Sequence, residues 1–305
     1  MSLLIIGLCG QSVFLSVPHF HRPEETLHAS ALFTEPGGKG YNQAVAAARM
    51  GAKVVFAGAI GQDADGEACC ARLKKEAIKD RMTRKDGQTA YAVILTDAQG
   101  ENRVTVFPGT QMERGDVLAL EEEFAAANML LLTPEIPKEA FDQAVKLARK
   151  YQVPLVINPA PFFPWVKAYI NDAALLTPNR SEACALLACE EAQLMEKLAA
   201  WKGAPMIVTL GKDGALCAEN GKITTIPAKK ANVVDTTGAG DCLNGVLCAL
   251  LLEGDSLETA VRIAVCAASL AVESAHVLDA MPYRAAVFEA VGKDYTCNLR
   301  DRQVK

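Results

Sequence analysis

The stretch from Met129 to Ile157, MLLLTPEIPKEAFDQAVKLARKYQVPLVI, decides the fold class. Residues 129–132 form a short, wholly apolar run of the kind that is buried on both faces of a sheet. Residues 138–150 then read as a helix and 154–157 as a second apolar strand. The rhythm continues downstream with a strand at 174–176, helices at 181–187 and 191–202, a strand at 206–210, a hairpin across 214–226 and three C-terminal helices. Upstream it opens with a buried strand at 3–7. Gly37-Gly38-Lys39-Gly40 then leads into a helix at 42–50 closed by Gly51, followed by a strand at 53–60 and a helix at 67–79. Strands alternating with helices predict an α/β protein: a three-layer, doubly wound, mostly parallel sheet with helices on both faces.

Two stretches break the rhythm. Residues 11–34 alternate apolar and polar residues around two prolines, and residues 89–107 hold two β-rich runs joined by Asp97-Ala98-Gln99-Gly100. Together they are expected to form a small β-sheet lid over the carboxyl ends of the strands. The expected division is an α/β body over residues 1–10, 35–88 and 108–305, with a lid over 11–34 and 89–107.

The chain has 305 residues, half of them apolar, which suffices for a sizeable core and excludes global disorder. A net charge of −5 with no basic stripe argues against nucleic acid as a partner. No run reaches the length of a membrane span, and the N-terminus lacks the basic region of a signal peptide, so a cytoplasmic protein with no membrane partner is expected. Ten scattered cysteines without a Cys-x-x-Cys pair read as buried thiols, and with four histidines they show no metal-ligand spacing.

The chemistry concentrates in Asp235-Thr236-Thr237-Gly238-Ala239-Gly240-Asp241. Leu243, Val246, Leu247, Leu250 and Leu251 recur at helical spacing, so a buried helix begins near Ala239 or Gly240. Small residues there leave backbone N–H groups open at the positive end of the helix dipole, which is an anion site. A carboxylate at 241 would repel a bound phosphate, but it makes sense as a reagent that takes a proton from an attacking hydroxyl while the amides neutralise a migrating phosphoryl group. The bland alternative is a glycine-rich helix entry with an acidic first turn. No Gly-x-x-x-x-Gly-Lys-Ser/Thr, Gly-x-Gly-x-x-Gly at the first strand or Gly-x-Ser-x-Gly occurs, which removes the main support for P-loop, dehydrogenase and serine-hydrolase readings.

This segment resembles the signature of the ribokinase-like, or phosphofructokinase-B, family of carbohydrate and nucleoside kinases, and the resemblance runs in order along nearly the whole chain. Gly37-Gly38-Lys39-Gly40-Tyr41-Asn42-Gln43-Ala44 is similar to the family's N-terminal glycine motif and Asn158-Pro159-Ala160-Pro161 to its central strand end. Thr177-Pro178-Asn179-Arg180-Ser181-Glu182 resembles its Asn-x-x-Glu motif, and Val208 to Gly214 its nucleotide-side strand and loop. The resemblance implies ATP-dependent phosphorylation of a hydroxyl of a sugar or sugar-like molecule, with Asp241 as base and Gly238, Ala239 and Gly240 as anion hole. It further implies substrate contacts at Gly38, Lys39, Asn42, Glu135 and Ser12, and nucleotide contacts at Asn179, Thr209, Gly211 and Gly214. Glu182 would reach Mg²⁺ through water, and Asp235 is a candidate for a monovalent cation, K⁺. The implied cofactors are ATP and Mg²⁺, and the exposed edges of a lid predict a homodimer.

Two departures stand out. Members commonly carry an Asn-x-Asp pair after the first strand, where the Asp accepts sugar hydroxyls; Gly10 and Ser12 occupy those positions here. A hydroxyl does not replace a charged acceptor, so ribose is not the expected substrate, and His19, His21 or Arg22 on the lid are candidate contacts for another sugar, a nucleoside or a sugar phosphate. Near the C-terminus His276-Val277 replaces the usual Gly-Ala, which puts potassium activation in doubt. A non-catalytic ligand sensor on the same fold is the competing class, against which the retention of Asp241, Asn179 and Glu182 weighs.

Overall fold

The computed structural model describes residues 1–292; the last thirteen positions of the expected α/β body, 293–305, lie outside the described residues. In chain order the first elements are β1 (Ser2–Ile6), β2 (Gly10–Ser16), β3 (Ala31–Gly37), α1 (Lys39–Arg49), β4 (Lys53–Gly61), α2 (Ala64–Lys75) and β5 (Lys79–Lys85). Next come β6 (Ala90–Thr96), β7 (Asn102–Phe107), α3 (Arg114–Leu118), α4 (Glu121–Ala126), β8 (Met129–Leu132), α5 (Lys138–Tyr151), β9 (Leu155–Ile157), β10 (Leu175–Leu176) and α6 (Arg180–Leu187). The chain continues through α7 (Leu194–Ala200), β11 (Met206–Thr209), β12 (Ala215–Glu219), β13 (Lys222–Ile226), α8 (Ala239–Glu253), α9 (Leu257–Ala271) and α10 (Arg284–Val291).

Nine strands form the main sheet in the order β13-β12-β11-β10-β9-β8-β1-β4-β5. All neighbours are parallel except the pairs β11–β12 and β12–β13. The sheet is therefore mixed but mostly parallel, as expected from the alternation of strands and helices. β1 shows why both faces must be covered: Leu3 and Ile5 enter one apolar core with α1, α8 and α9, while Leu4 and Ile6 enter the other with α5. α8 is buried almost all round because it lies against α1, α9 and the sheet. Its approach to α1 depends on Gly245, where a Cβ would stand 2.3 Å from the Gln43 carbonyl.

From β1 the chain steps to β4 and β5 on one side and later to β8 and β9 on the other. The order thus switches between β1 and β8, and a crevice opens at the carboxyl ends of these strands. Gly7, Thr133, Asn158, Thr177 and Leu210 each follow a strand and line up along that edge.

The two β-rich stretches meet in a second sheet, ordered β3-β2-β6-β7, with β2 and β3 antiparallel, β6 and β7 antiparallel, and β2 and β6 parallel. Its strands reach Gly10 and Gly37, beyond the expected limits of 11 and 34. The helix expected over 67–79 is shorter and earlier. α2 ends at Lys75, Ala77 adopts a positive φ of 56°, and β5 follows as the outer strand of the main sheet. β5 was unexpected because its sequence, KDRMTRK, has the charge of an edge that discourages further pairing and lacks an apolar run. The helix expected over 191–202 is a 3₁₀ turn, Glu191–Gln193, followed by α7. α3 and α4 were unexpected, each too short to show a helical period.

Candidate active site

Asp241 lies in the first turn of α8, only 7% exposed. Its carboxylate accepts hydrogen bonds from Asn42 Nδ2 at 2.9 Å and Gln43 Nε2 at 3.1 Å, both from α1. Burial pushes the Asp241 carboxyl above the usual carboxylate range, against the pull of the Lys39 cation and the two amide donors. Asp241 in turn raises the Lys39 ammonium, with Glu135 and Glu182 adding to the effect, so Lys39 stays charged among three acids. Lys39, Asn42 and Gln43 share one face of α1 at i, i+3 and i+4 spacing, which is why one helix supplies all three.

Glu135 follows β8 and accepts from the Lys39 backbone N–H at 2.8 Å. It is half-buried. Burial raises its carboxyl to about 7, against the pull of Lys39. Gly38 enters α1 at a φ of 117°, with the Leu8 carbonyl 2.3 Å from where a Cβ would be. Ser12, on β2, directs its Oγ to within 2.5 Å of the Cβ position of Gly37, with Asn42 Oδ1 3.8 Å from the same point. Ser12, Gly38, Lys39, Asn42, Glu135 and Asp241 thus converge on the carboxyl ends of β1 and β8. Three buried oxygens in this region, Asn42 Oδ1, Gln43 Oε1 and Thr133 Oγ1, have no protein partner.

A cavity of about 700 Å³ lies on the other side of the α8 N-terminus, lined by Thr209, Gly211, Gly214, Thr236, Ala239 and Gly240 among others. Three of the four expected nucleotide contacts, Thr209, Gly211 and Gly214, and two of the expected anion-hole residues, Ala239 and Gly240, therefore share one cavity, whereas Asn179 and Gly238 are not part of its lining. Asn179 caps α6: its Oδ1 accepts from the Glu182 N–H at 2.9 Å, and Glu182 Oε2 accepts from the Asn179 N–H at 2.8 Å. Burial raises the Glu182 carboxyl. No cluster of three or more His, Cys, Asp or Glu side chains around a common point occurs among the described residues. Glu182 would hold a Mg²⁺ through water, which suits a small ion that dehydrates reluctantly and needs few protein ligands.

Asp235 does not enter the cavity lining. Its Oδ1 accepts from the Thr237 N–H at 2.9 Å and the Thr237 hydroxyl at 2.6 Å, and its Oδ2 from the His276 N–H at 3.3 Å. His19 pairs with Glu25 at 2.8 Å in the loop between β2 and β3.

Sequence reasoning assigned no role to several polar residues behind the base. Gln43 Nε2 also donates to Asn158 Oδ1 at 3.0 Å, Asn158 Nδ2 to the Thr177 carbonyl at 2.8 Å, and Thr177 Oγ1 to Asn244 Oδ1 at 2.5 Å. Asn244 Nδ2 closes the circuit on the Gly240 carbonyl at 2.8 Å. The helical spacing of Gln43 from Lys39 was the available signal; nothing local marks Asn244.

Among known proteins, the sequence profile of the pfkB family carbohydrate kinases matches residues 2–283. The chain is 35% identical to a ribokinase of Bacillus subtilis over 294 residues, which cover 94% of this chain and 98% of that protein. The crystal structure of ribokinase from Thermotoga maritima superposes with a TM-score of 0.85 at 30% identity, covering 95% of this chain and 98% of the other. The structure of Arabidopsis thaliana ribokinase complexed with ribose and ATP gives a TM-score of 0.83 at 26% identity, covering 95% and 98%. The crevice at the switch point, the buried Asp241 and the cavity at the α8 N-terminus thus sit in a chain that belongs to the pfkB family of carbohydrate kinases.

Proposed function

We propose that this carbohydrate kinase transfers the terminal phosphoryl group of ATP to a sugar hydroxyl, with Asp241 as the general base and the amides of Gly238 to Asp241 as the anion hole. The carrying observation is the position of Asp241, a buried carboxylate in the first turn of the same helix whose N-terminal residues Ala239 and Gly240 line the large cavity. ATP in that cavity along Thr209, Gly211 and Gly214 would present its phosphates to the α8 amides. A sugar at Lys39, Asn42 and Glu135 would present a hydroxyl to Asp241. Asp241 removes the proton as oxygen attacks phosphorus, the bond to the ADP leaving oxygen breaks, and the amides at the α8 N-terminus take up charge on the migrating group, that of Ala239 giving up its long 3.3 Å bond to the Thr236 carbonyl. Asn179 and Glu182 would organise the waters of Mg²⁺, which neutralises phosphate charge when bound. Lys39 balances the negative charge gathered between the two ligands.

The acceptor is a polyol, in keeping with the polar side chains of Lys39, Asn42 and Glu135 that gather beside Asp241. Ser12 on the lid supplies a neutral contact, which favours an acceptor other than ribose, among sugars, sugar phosphates and nucleosides. Asp235 remains a candidate for K⁺. The enzyme works as a homodimer through the small sheet.

Replacing Asp241 with Asn should lower kcat by about 10²-fold or more while ATP binding persists. The assay is a screen of ATP consumption against sugars, nucleosides and sugar phosphates, followed by the variant on the fastest acceptor. Undiminished turnover by Asp241→Asn removes the base, and absence of turnover with every acceptor favours a ligand sensor.

A further inference from the structure

The segment after α9 ties the small sheet to the start of α8 through a buried carboxylate. Glu35, on β3, is 4% exposed, and its two oxygens accept from the Val277 N–H at 2.7 Å and the Leu278 N–H at 3.0 Å. From the other side, Arg49 of α1 donates to the Leu278 and Met281 carbonyls, each at 2.6 Å, and is itself held by Glu76 at 2.7 Å. The segment therefore has little freedom to shift unless Glu35 moves with β3.

What the segment touches gives this clamp a consequence. Gly238, at a φ of 78°, has Val277 Cγ1 2.4 Å from where its Cβ would be, so the Val277 side chain backs the turn into α8. The neighbouring His276 donates its N–H to Asp235 and stacks its ring on Phe33 of β3, with centroids 3.6 Å apart, while Phe14 of β2 meets it edge-on at 5.6 Å. His276 holds this place at a positive φ of 71°, a conformation that a residue other than glycine adopts only when its surroundings fix it. A second tether comes from β7, where Asn102 Nδ2 donates to Thr237 Oγ1 at 3.0 Å. The small sheet thus grips the turn from 235 to 238 at both ends.

We infer that Glu35 is a positioning residue through which the seating of the small sheet sets the anion hole. With the sheet seated, Glu35 holds Val277 against Gly238 and the amides at the α8 N-terminus are aligned. Without the Glu35 carboxylate the two amides lose their acceptor, Val277 loses its anchor and the turn loses its backing. This rests on the reading of residues 238–241 as an anion hole.

The test is amide hydrogen exchange on the full chain, with no acceptor needed, for the wild type, Glu35→Gln and Val277→Ala. Thr237 and Ala239 report the turn, because their N–H groups are bonded to Asp235 and to the Thr236 carbonyl. Glu35→Gln should speed exchange about tenfold or more at Val277 and Leu278 and also at Thr237 and Ala239. Val277→Ala, which removes only the two methyl groups that back Gly238, should speed it at Thr237 and Ala239 with Glu35 intact. In turnover with MgATP and the fastest acceptor of the screen, Glu35→Gln should lower kcat about tenfold with KM for ATP within twofold. Exchange at Thr237 and Ala239 unchanged in either variant overturns the coupling, as does wild-type kcat in Glu35→Gln. An Asp241→Asn protein that turns over normally would instead remove the base, leaving the exchange result to stand separately.

Discussion

Glu135 shows how a single residue sets a pH dependence. Burial lifts its carboxyl to about 7, so below that pH it carries a proton and loses accepting capacity toward a sugar hydroxyl. Above it the carboxylate is ionised and accepts. kcat/KM for the acceptor should therefore rise as pH passes upward through about 7 and level off, and Glu135→Gln should flatten that limb at a lower plateau. A pH series of initial rates at low acceptor concentration decides it; a limb unchanged in Glu135→Gln would transfer the titration to another group. Stability carries the opposite sign. A raised carboxyl binds its proton in the folded state over pH values where the unfolded chain has released it, so this group's contribution weakens as pH rises from the ordinary glutamate value of 4.5 toward about 7. Residues such as Lys39, Asn42 and Asp241 were legible because each stands within a dense local motif. Gln43, Asn244 and Glu35 act through partners 67 or more positions away, such as Asn158, Thr177 and Val277, and no local pattern records them.

At the scale of the element, the start of α8 joins stability to function. Gly240 is exposed, has no positive φ, and a Cβ added there would meet nothing within 4 Å. Packing does not require glycine, and alanine is the better helix former by roughly 0.5–1 kcal/mol. Gly240→Ala should therefore raise the melting temperature by about 2 °C. It should also cut kcat by more than about tenfold, because the methyl group would stand where the phosphoryl must approach the amides. Calorimetry and steady-state kinetics on one preparation test both halves, and a stabilised variant with full activity would show that the phosphates do not come close to residue 240. The same helix was visible in the sequence because its buried leucines repeat with a clear period. β5 was hidden for the converse reason: an edge strand exposes charged residues, and KDRMTRK continues the polar character of α2 without a break in composition. α3 and α4 were hidden by length, at five and six residues.

For the whole molecule, the alternation of strands and helices was enough to specify a doubly wound sheet, and the two stretches outside it were enough to specify a second sheet. How that sheet is completed depends on surfaces the chain leaves uncovered. Every residue of β7 is exposed, and Val104, Val106 and Phe107 are 57%, 49% and 52% exposed. A free edge carrying this much apolar surface invites pairing, and a two-fold pairing of small sheet with small sheet would cover it in both copies at once. Light scattering at micromolar concentration should give twice the mass of the 32.5 kDa chain. Placing Lys at both Val104 and Val106 should give a monomer, since the substitution puts like charges into the shared surface without touching the main core. Because β7 also carries the Asn102 tether to Thr237, the monomer should lose turnover as well as mass. A wild-type chain that scatters as a monomer would assign the exposed valines to the crevice side of the sheet alone, where they would contact a closing ligand and not a second copy.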